Sequence, residues 1–440
     1  MGMVRSTTGF TVDFPRFLAR TDLFDVARLD CGGVWSKARR HELTLLAAGQ
    51  PWLPVLLLLG RFARPIRKVP KLGWFVADPL VARQIYNDST HFSIVAEGAA
   101  GHWWGQVIGE WVQDLFEGPG HTKLRTTVRD LFVQSHTDAL VDRVIGPELA
   151  DITARLNAGE TVDIAERARV LVGRSVSDLV GMTRDDIAAA FPGDHTDDEL
   201  FGKLFDHVEE LVNLGFGTMA STTLDPAAVA RARELATQLA ANVPVAYETA
   251  AANTTLGRCR ELGLDVEHAS GLAILMAAAG TDTMASAMSR MIALLIDTGE
   301  QDVLRANPDR VPDAVREALR VTSPAYLVGR SVVADTTVAG RDLRAGEHVK
   351  ILTWTIDNAV GEFSVSRDYV PETRQLWFGG GRHLCLGAQL VHSELAALLT
   401  ALLATNQRWH IVERRYRPKV FIPTYEKLRI KSESPTPIRE

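Results

Sequence analysis

Phe378-Gly-Gly-Gly-Arg-His-Leu-Cys-Leu-Gly387 sets three glycines ahead of a cysteine and a fourth two residues after it. Each has a physical use. Gly379 and Gly381 allow tight turns at positive φ and a close approach of backbone to a ligand. Cys385 stands just before an apolar stretch, residues 386–404, that reads as a helix. At such a helix start the free N–H groups favour a thiolate, so a lowered thiol pKa is expected there. Gly387 leaves room for a planar group against that helix. A lone cysteine is ordinarily a buried, inert thiol; the glycines around this one point to a ligand.

Outward from the loop, a helical period dominates from Pro79 to about Leu403. The clearest helices are expected at 122–132, 200–214, 227–253, 266–296, 311–321 and 386–404, with a kink at Pro244 in the third. KVPKLGWFVAD, residues 68–78, reads as a hairpin, and strand-like pieces return at 329–333, 348–353 and 409–412. The pattern predicts a mainly α protein with a small, segregated β portion (α+β), organised as a single large domain over 61–440 behind an N-terminal extension, 1–60. The 266–296 segment has no proline and would run about 45 Å as one helix. Its centre is small, Ala277, Ala278, Ala279 and Gly280, and Leu272, Leu275, Met276, Ala279 and Thr283 share a face. That is either a closely packed buried helix or one that something flat lies against.

Composition narrows the class. Of 440 residues, 46% are hydrophobic and 23% charged, ordinary for a sizeable core. The net charge of −6 argues against nucleic acid as a partner. Cys31, Cys259 and Cys385 are odd in number and scattered, giving neither a disulfide framework nor a CxxC zinc pair, so a reducing cytoplasm is the expected compartment. No signal-peptide architecture opens the chain. The run LPVLLLLG, Leu53–Gly60, is too short to span a bilayer, which takes about 20 residues. It reads as a core helix with at most weak peripheral membrane contact, and no transmembrane anchor is expected.

FGGGRHLCLG resembles the haem-binding loop of the cytochrome P450 family, FGxGxHxCxG. Phe378, Gly379, Gly381, His383, Cys385 and Gly387 fill all six fixed positions. The resemblance, which runs over roughly 68–431, implies haem b with Cys385 as its metal ligand. Glu317-Ala-Leu-Arg320 is similar to the family's ExxR pair. Arg367, in FSVSRDY, stands where the family's meander supplies a third member, although the usual Pro-rich wording is absent. Ala279-Gly-Thr-Asp-Thr283 resembles the distal-helix element (A/G)Gx(D/E)T. It implies that Gly280 clears space for dioxygen and that Asp282 and Thr283 relay protons as an acid–alcohol pair. His121 and Arg125 match the HxxxR of the family's C helix, as two cations on one face that clasp haem propionates; Arg330 and His383 match two further propionate partners. The lead-in FEGPGH departs from the family's usual MDPPEH.

The implied activity is a monooxygenase that uses dioxygen to oxidise, most often to hydroxylate, an apolar small molecule. Electrons are expected from a ferredoxin-type donor with its reductase, because no flavin or ferredoxin motif occurs in the chain. Arg382, Arg129 and Lys123 are candidates for a basic docking patch. The substrate pocket is expected around 92–116, 278–283, 324–328 and 421–424, with Trp103, Trp104, Trp111 and Phe116 making the first segment aromatic. The same scaffold also suits a peroxygenase, an oxidative-coupling enzyme or a non-catalytic haem-thiolate sensor.

Overall fold

The long apolar stretch is one unbroken helix, Val266–Thr298, in the computed structural model of the protein, which describes residues 35–215 and 224–433. Cys31 and residues 1–34 of the expected N-terminal extension lie outside that description. The Asp265 carboxylate caps the helix by accepting from His268 N, 2.9 Å, and Gly299 at φ +76° ends it. Every residue from Met284 to Leu295 is buried, so this helix is the axis of the core. It alone among the described residues is long and apolar enough to cross a membrane, and it is mostly buried within the fold.

Helices surround that axis. Ile164–Val180 lies along it, while Asp197–Gly215, Val311–Thr322 and Ala388–Leu403 also pack on it. Residues 227–253 are not one kinked helix. Pro226–Leu239 stops, and Val243–Thr249 begins afresh with Pro244 in its first turn, where the missing N–H has no helical partner to lose. The helix after the cysteine loop starts at Ala388, with Gly387 at its N-cap, two residues later than the apolar run suggested.

The chain before the hairpin is packed into the body. Leu43 and Leu46 of helix Lys37–Gly49, and Leu53 and Leu57 of helix Leu53–Gly60, share a core cluster with Phe75, Leu352 and Trp354. Glu42 pairs with Arg290 on the axial helix; both side chains are buried.

The β portion is small and segregated. Ile66–Val69 and Gly73–Val76 form the expected hairpin, and Gly73–Val76 runs parallel to His348–Ile351. His348–Ile351 pairs antiparallel with Val328–Val332, which carries Phe92–Ser93 on its far side. A second sheet joins Thr161–Asp163, Tyr425–Glu433 and Arg408–Tyr416. Strand Arg408–Tyr416 outruns its apolar signal at Val412: its tail, Glu413 to Tyr416, is charged but stays paired with Tyr425–Glu433.

Candidate functional site

The glycine-rich loop closes on itself before it reaches the helix. Cys385 N donates to Phe378 O, 3.0 Å, and Gly379 N to Leu376 O, 2.9 Å. Gly379, at φ +76° and ψ −145°, holds a conformation that only glycine adopts freely. Gly381, at φ +62°, is needed on two counts, because a Cβ there would stand 2.1 Å from Tyr86 O. The loop thus lies directly on helix Pro79–Asn87, and Tyr86 also underlies Gly380.

Cys385 is deep in the fold, yet its side chain is exposed, so it faces an internal opening rather than packed protein. The N–H groups of Gly387 and Ala388 and the guanidinium of Arg125 pull its pKa down, as expected of a helix start. Burial is the larger influence, and the net shift of the thiol is upward. The lowering expected from the sequence therefore falls short on the protein's own groups. A Cβ on Gly387 would come within 3.9 Å of Cys385 Sγ, so the glycine and the thiol face the same side.

Four nitrogen-bearing side chains gather by the loop. Arg125 Nη2 donates to Leu384 O, 2.7 Å, one residue before the cysteine. Arg330 is buried at 5% exposure, donates to Gly329 O and lies over the Tyr86 ring, 5.2 Å from its centroid. Neither guanidinium has a carboxylate partner among the described residues. The rings of His121 and His383 meet edge to face at 5.1 Å. Burial, then nearby guanidiniums, push His121 down to about 4; burial, then Arg330 and the other cations, push His383 down to about 3. Both imidazoles are neutral near pH 7 in these surroundings. This corrects the view of His121 as a cation: it offers an N–H, and Arg125 and Arg330 carry the charge.

Glu317 and Arg320 form a two-pronged buried pair, Nε to Oε1 at 2.9 Å and Nη2 to Oε2 at 2.8 Å. Arg367 Nε reaches Glu317 Oε2 at 3.1 Å, so two guanidiniums meet at one carboxylate. Arg320 and Arg367 then hold the carbonyls of Asp357, Glu362 and Val360, which leads the chain toward the glycine loop.

On the axial helix, Ala279 is exposed, and Leu275, Met276, Gly280 and Thr283 are half-exposed, in a stretch whose flanks are buried. Leu275 and Met276 border the same core cluster as Phe378 and Leu386 of the cysteine loop. A Cβ on Gly280 would meet Val176 Cγ2 at 3.3 Å, so the missing side chain there also serves the contact with helix Ile164–Val180. Asp282 and Thr283 do not bond each other, as adjacent helical residues point to different sides. Thr283 Oγ1 donates to Ala279 O, 2.9 Å. Asp282 is buried, and neither of its oxygens has a hydrogen-bond partner. Burial, and then the field of Glu209, hold its carboxyl well above the usual carboxylate range.

The groups near Asp282 come from distant parts of the chain and were missed in the sequence. Arg417 pairs with Glu209, 2.6 Å, and with the exposed Asp206, 2.9 Å, and all three act electrostatically on Asp282. Tyr86 was missed as well. No local pattern links residues 86, 209 and 417 to motifs so far away in the chain.

The expected aromatic lining is largely packing. Trp104 is buried in the cluster of helix Asp197–Gly215. Trp111 lies against Gly271 and meets the His268 ring at 5.0 Å. Of the basic patch, Lys123 and Arg129 are exposed, but Arg382 turns inward to Glu117 O, 3.2 Å, and His121 Nδ1, 3.3 Å.

Residues 311–428, from the Glu317–Arg320 helix through the cysteine loop, match the family model described as Cytochrome P450. Over these residues the chain matches the cytochrome P450 family. It is 33% identical over 162 residues to the biotin biosynthesis cytochrome P450 of Bacillus subtilis, 35% of this chain and 41% of that protein. With the vitamin D3 dihydroxylase of Streptomyces griseolus it shares 38% over 146 residues, 32% of this chain and 36% of the relative. These matched segments therefore span about two fifths of the length of the relatives. The fold match is broader. A mutant of P450 EryK in complex with erythromycin B superposes with TM-score 0.69 at 21% identity, covering 92% of this chain and all of that one. P450BioI in complex with an acyl carrier protein superposes at 0.67 and 22%, covering 86% and 98%.

The side chains of this site suit a haem. It offers a thiol with an open face, a half-exposed stretch of small residues on the axial helix, and two guanidiniums with no carboxylate in ion-pair contact among the described residues, although the field of Glu117 reaches Arg330. A buried cation such as Arg330 is costly unless an anion meets it, and a haem carboxylate has the charge and the planar geometry that a guanidinium prefers.

Proposed function

We propose that this chain holds haem b through Cys385 and acts as a monooxygenase on an apolar small molecule, with dioxygen as co-substrate. The observation that carries the proposal is the pairing of an open-faced thiol at a helix start with two guanidiniums that have no ion-paired carboxylate among the described residues. When bound, a thiolate-ligated haem supplies dioxygen activation, chemistry that side chains lack.

The protein's residues do the rest. Phe378, Gly379, Gly381 and Gly387 shape the cradle, and the N–H groups of Gly387 and Ala388 steady the negative sulfur. Arg125 and Arg330 bind carboxylates, with N–H donation from His121 and His383. Glu317, Arg320 and Arg367 hold the approach to the loop in place. Burial favours the protonated form of Asp282, and Thr283 can release its bond to Ala279 O to pass a proton on. The structural relatives are in complex with erythromycin B and with an acyl carrier protein bearing hexadec-9Z-enoic acid, and one sequence relative is a vitamin D3 dihydroxylase. The fatty acyl chain and vitamin D3 are mostly apolar, which supports an apolar substrate here. Electrons come from a ferredoxin and its reductase, with Lys123 and Arg129 as exposed docking cations.

The test is the absorption spectrum of the reduced protein with carbon monoxide, followed by titration with apolar metabolites. A red-shifted Soret band and a spin-state change with one compound support the reading. A haem-replete protein lacking that band refutes it, as does a Cys385→Ser variant that keeps it.

A further inference from the structure

Helix Leu53–Gly60 is apolar all the way round but packed on one side only. Leu53, Pro54, Leu57 and Gly60 are buried against the body. Leu59, however, is 58% exposed, and Phe62, in the turn that continues the helix, 56%. Val55, Leu59 and Phe62 recur at helical spacing as an outward stripe, with Val55 half-exposed. A helix that served the core alone would carry polar residues on that outer face; this one carries none.

The flanking charge has a single sign. Between Pro51 and Ala77 there is no Asp or Glu, while Arg61, Arg64, Arg67, Lys68 and Lys71 occur there, in a chain of net charge −6. All five cations are exposed. Arg64 pairs with Asp78 and Lys68 with Glu347, whereas Arg61, Arg67 and Lys71 have no ion pair among the described residues. Arg67 and Lys68 lie on Ile66–Val69, the edge strand of its sheet, where cations discourage pairing with other chains. That accounts for two charges but leaves the apolar stripe unexplained.

We propose that this face is a peripheral docking surface for an anionic lipid bilayer. Acyl chains take Leu59 and Phe62 at the interface, and lipid phosphates take the surrounding cations. A second copy of the chain is the poorer occupant, because a twofold contact would set this cationic rim against itself.

The test is sedimentation of the full-length protein with vesicles, either pure phosphatidylcholine or equimolar phosphatidylcholine and phosphatidylglycerol. The protein should pellet with the mixed vesicles, less so as salt rises, and should hardly pellet with phosphatidylcholine alone. Leu59→Ser/Phe62→Ser should weaken binding by about tenfold or more. Arg67→Gln/Lys71→Gln should weaken it by about 25-fold, at about fivefold per cation. Both variants change exposed side chains, and unchanged thermal unfolding shows that they fold. No binding of the wild-type protein to mixed vesicles at low salt overturns the proposal, and so does binding that both variants retain. A dimer dissolved by Leu59→Ser/Phe62→Ser, without vesicle binding, assigns the stripe to a second copy. Crosslinks from the stripe to residues 1–34, again without vesicle binding, assign it to the chain's own N-terminal segment.

Discussion

Glu394 is a buried acid that the proposed chemistry does not use, and its cost can be worked out. It lies on helix Ala388–Leu403, 2% exposed, with the Ser175 hydroxyl as its hydrogen-bond partner. Burial, only partly offset by Ser175, pushes its pKa from 4.5 up to about 7. The folded protein therefore holds this proton more tightly than the unfolded chain. Its contribution to stability is fully present below pH 4.5, falls as pH rises from there, and is gone above about pH 7. A shift from 4.5 to about 7, at about 1.4 kcal/mol per unit, amounts to about 3 kcal/mol across that window. Glu394→Gln keeps the shape and an acceptor for Ser175 but cannot ionise, so it should lose this pH dependence. Thermal unfolding of both proteins from pH 5 to 8 should show the variant gaining on the wild type by about 3 °C, given about 2 cal/mol/K of unfolding entropy per residue. Infrared difference spectra should show a protonated carboxyl carbonyl at pH 6 that the variant lacks. Parallel stability profiles, with no carbonyl band lost, would refute a neutral Glu394.

Other substitutions probe the site itself. Thr283→Ala should divert electrons from product, measured as product formed per reduced cofactor consumed; an unchanged ratio removes Thr283 from proton delivery. Asp282→Asn should slow turnover by about 10²-fold and enlarge the solvent isotope effect, and a normal rate would leave its buried carboxyl without a role. Arg320→Ala leaves Glu317 with only the part-exposed Arg367 as a guanidinium partner and should cost about 3 kcal/mol, seen as loss of haem-loaded protein on purification; full haem occupancy would show that the brace is dispensable. Gly381→Ala drives a methyl into Tyr86 O at positive φ, and should lower the unfolding temperature and haem retention together; wild-type values for both would mean the loop tolerates the shift.

Legibility divided along the distance between interacting residues. The cysteine loop, the axial helix and the Glu317–Arg320 pair were readable because each depends on residues within a few positions of one another. The break at Ala240–Asn242 was not, because apolar spacing carries on across it and only Pro244 marks the restart. The acid pKa near Asp282 was also hidden, since Glu209 and Arg417 arrive from other elements. The charge of His121 was misjudged for the same reason: spacing puts it on a face with Arg125, but burial and Arg382 decide its protonation.

The same division explains how so irregular a loop can hold a thiol in place. From Phe378 to Gly387 the chain has few internal hydrogen bonds, and its glycines lower the cost of odd backbone angles while raising the entropy lost on ordering. Stiffness must therefore come from outside, and three elements supply it. Tyr86 lies under Gly380 and Gly381. Arg125 fixes the Leu384 carbonyl beside the cysteine. Glu317, with Arg320 and Arg367, fixes the chain that feeds the loop. Arg330 adds a link, because the guanidinium read as a carboxylate binder also stacks on the Tyr86 ring that supports the loop. A carboxylate drawn to Arg330 would thereby steady Tyr86, and through it the turn ahead of Cys385. Cofactor binding and thiol placement are in this way mechanically coupled, and loss of either should loosen the other.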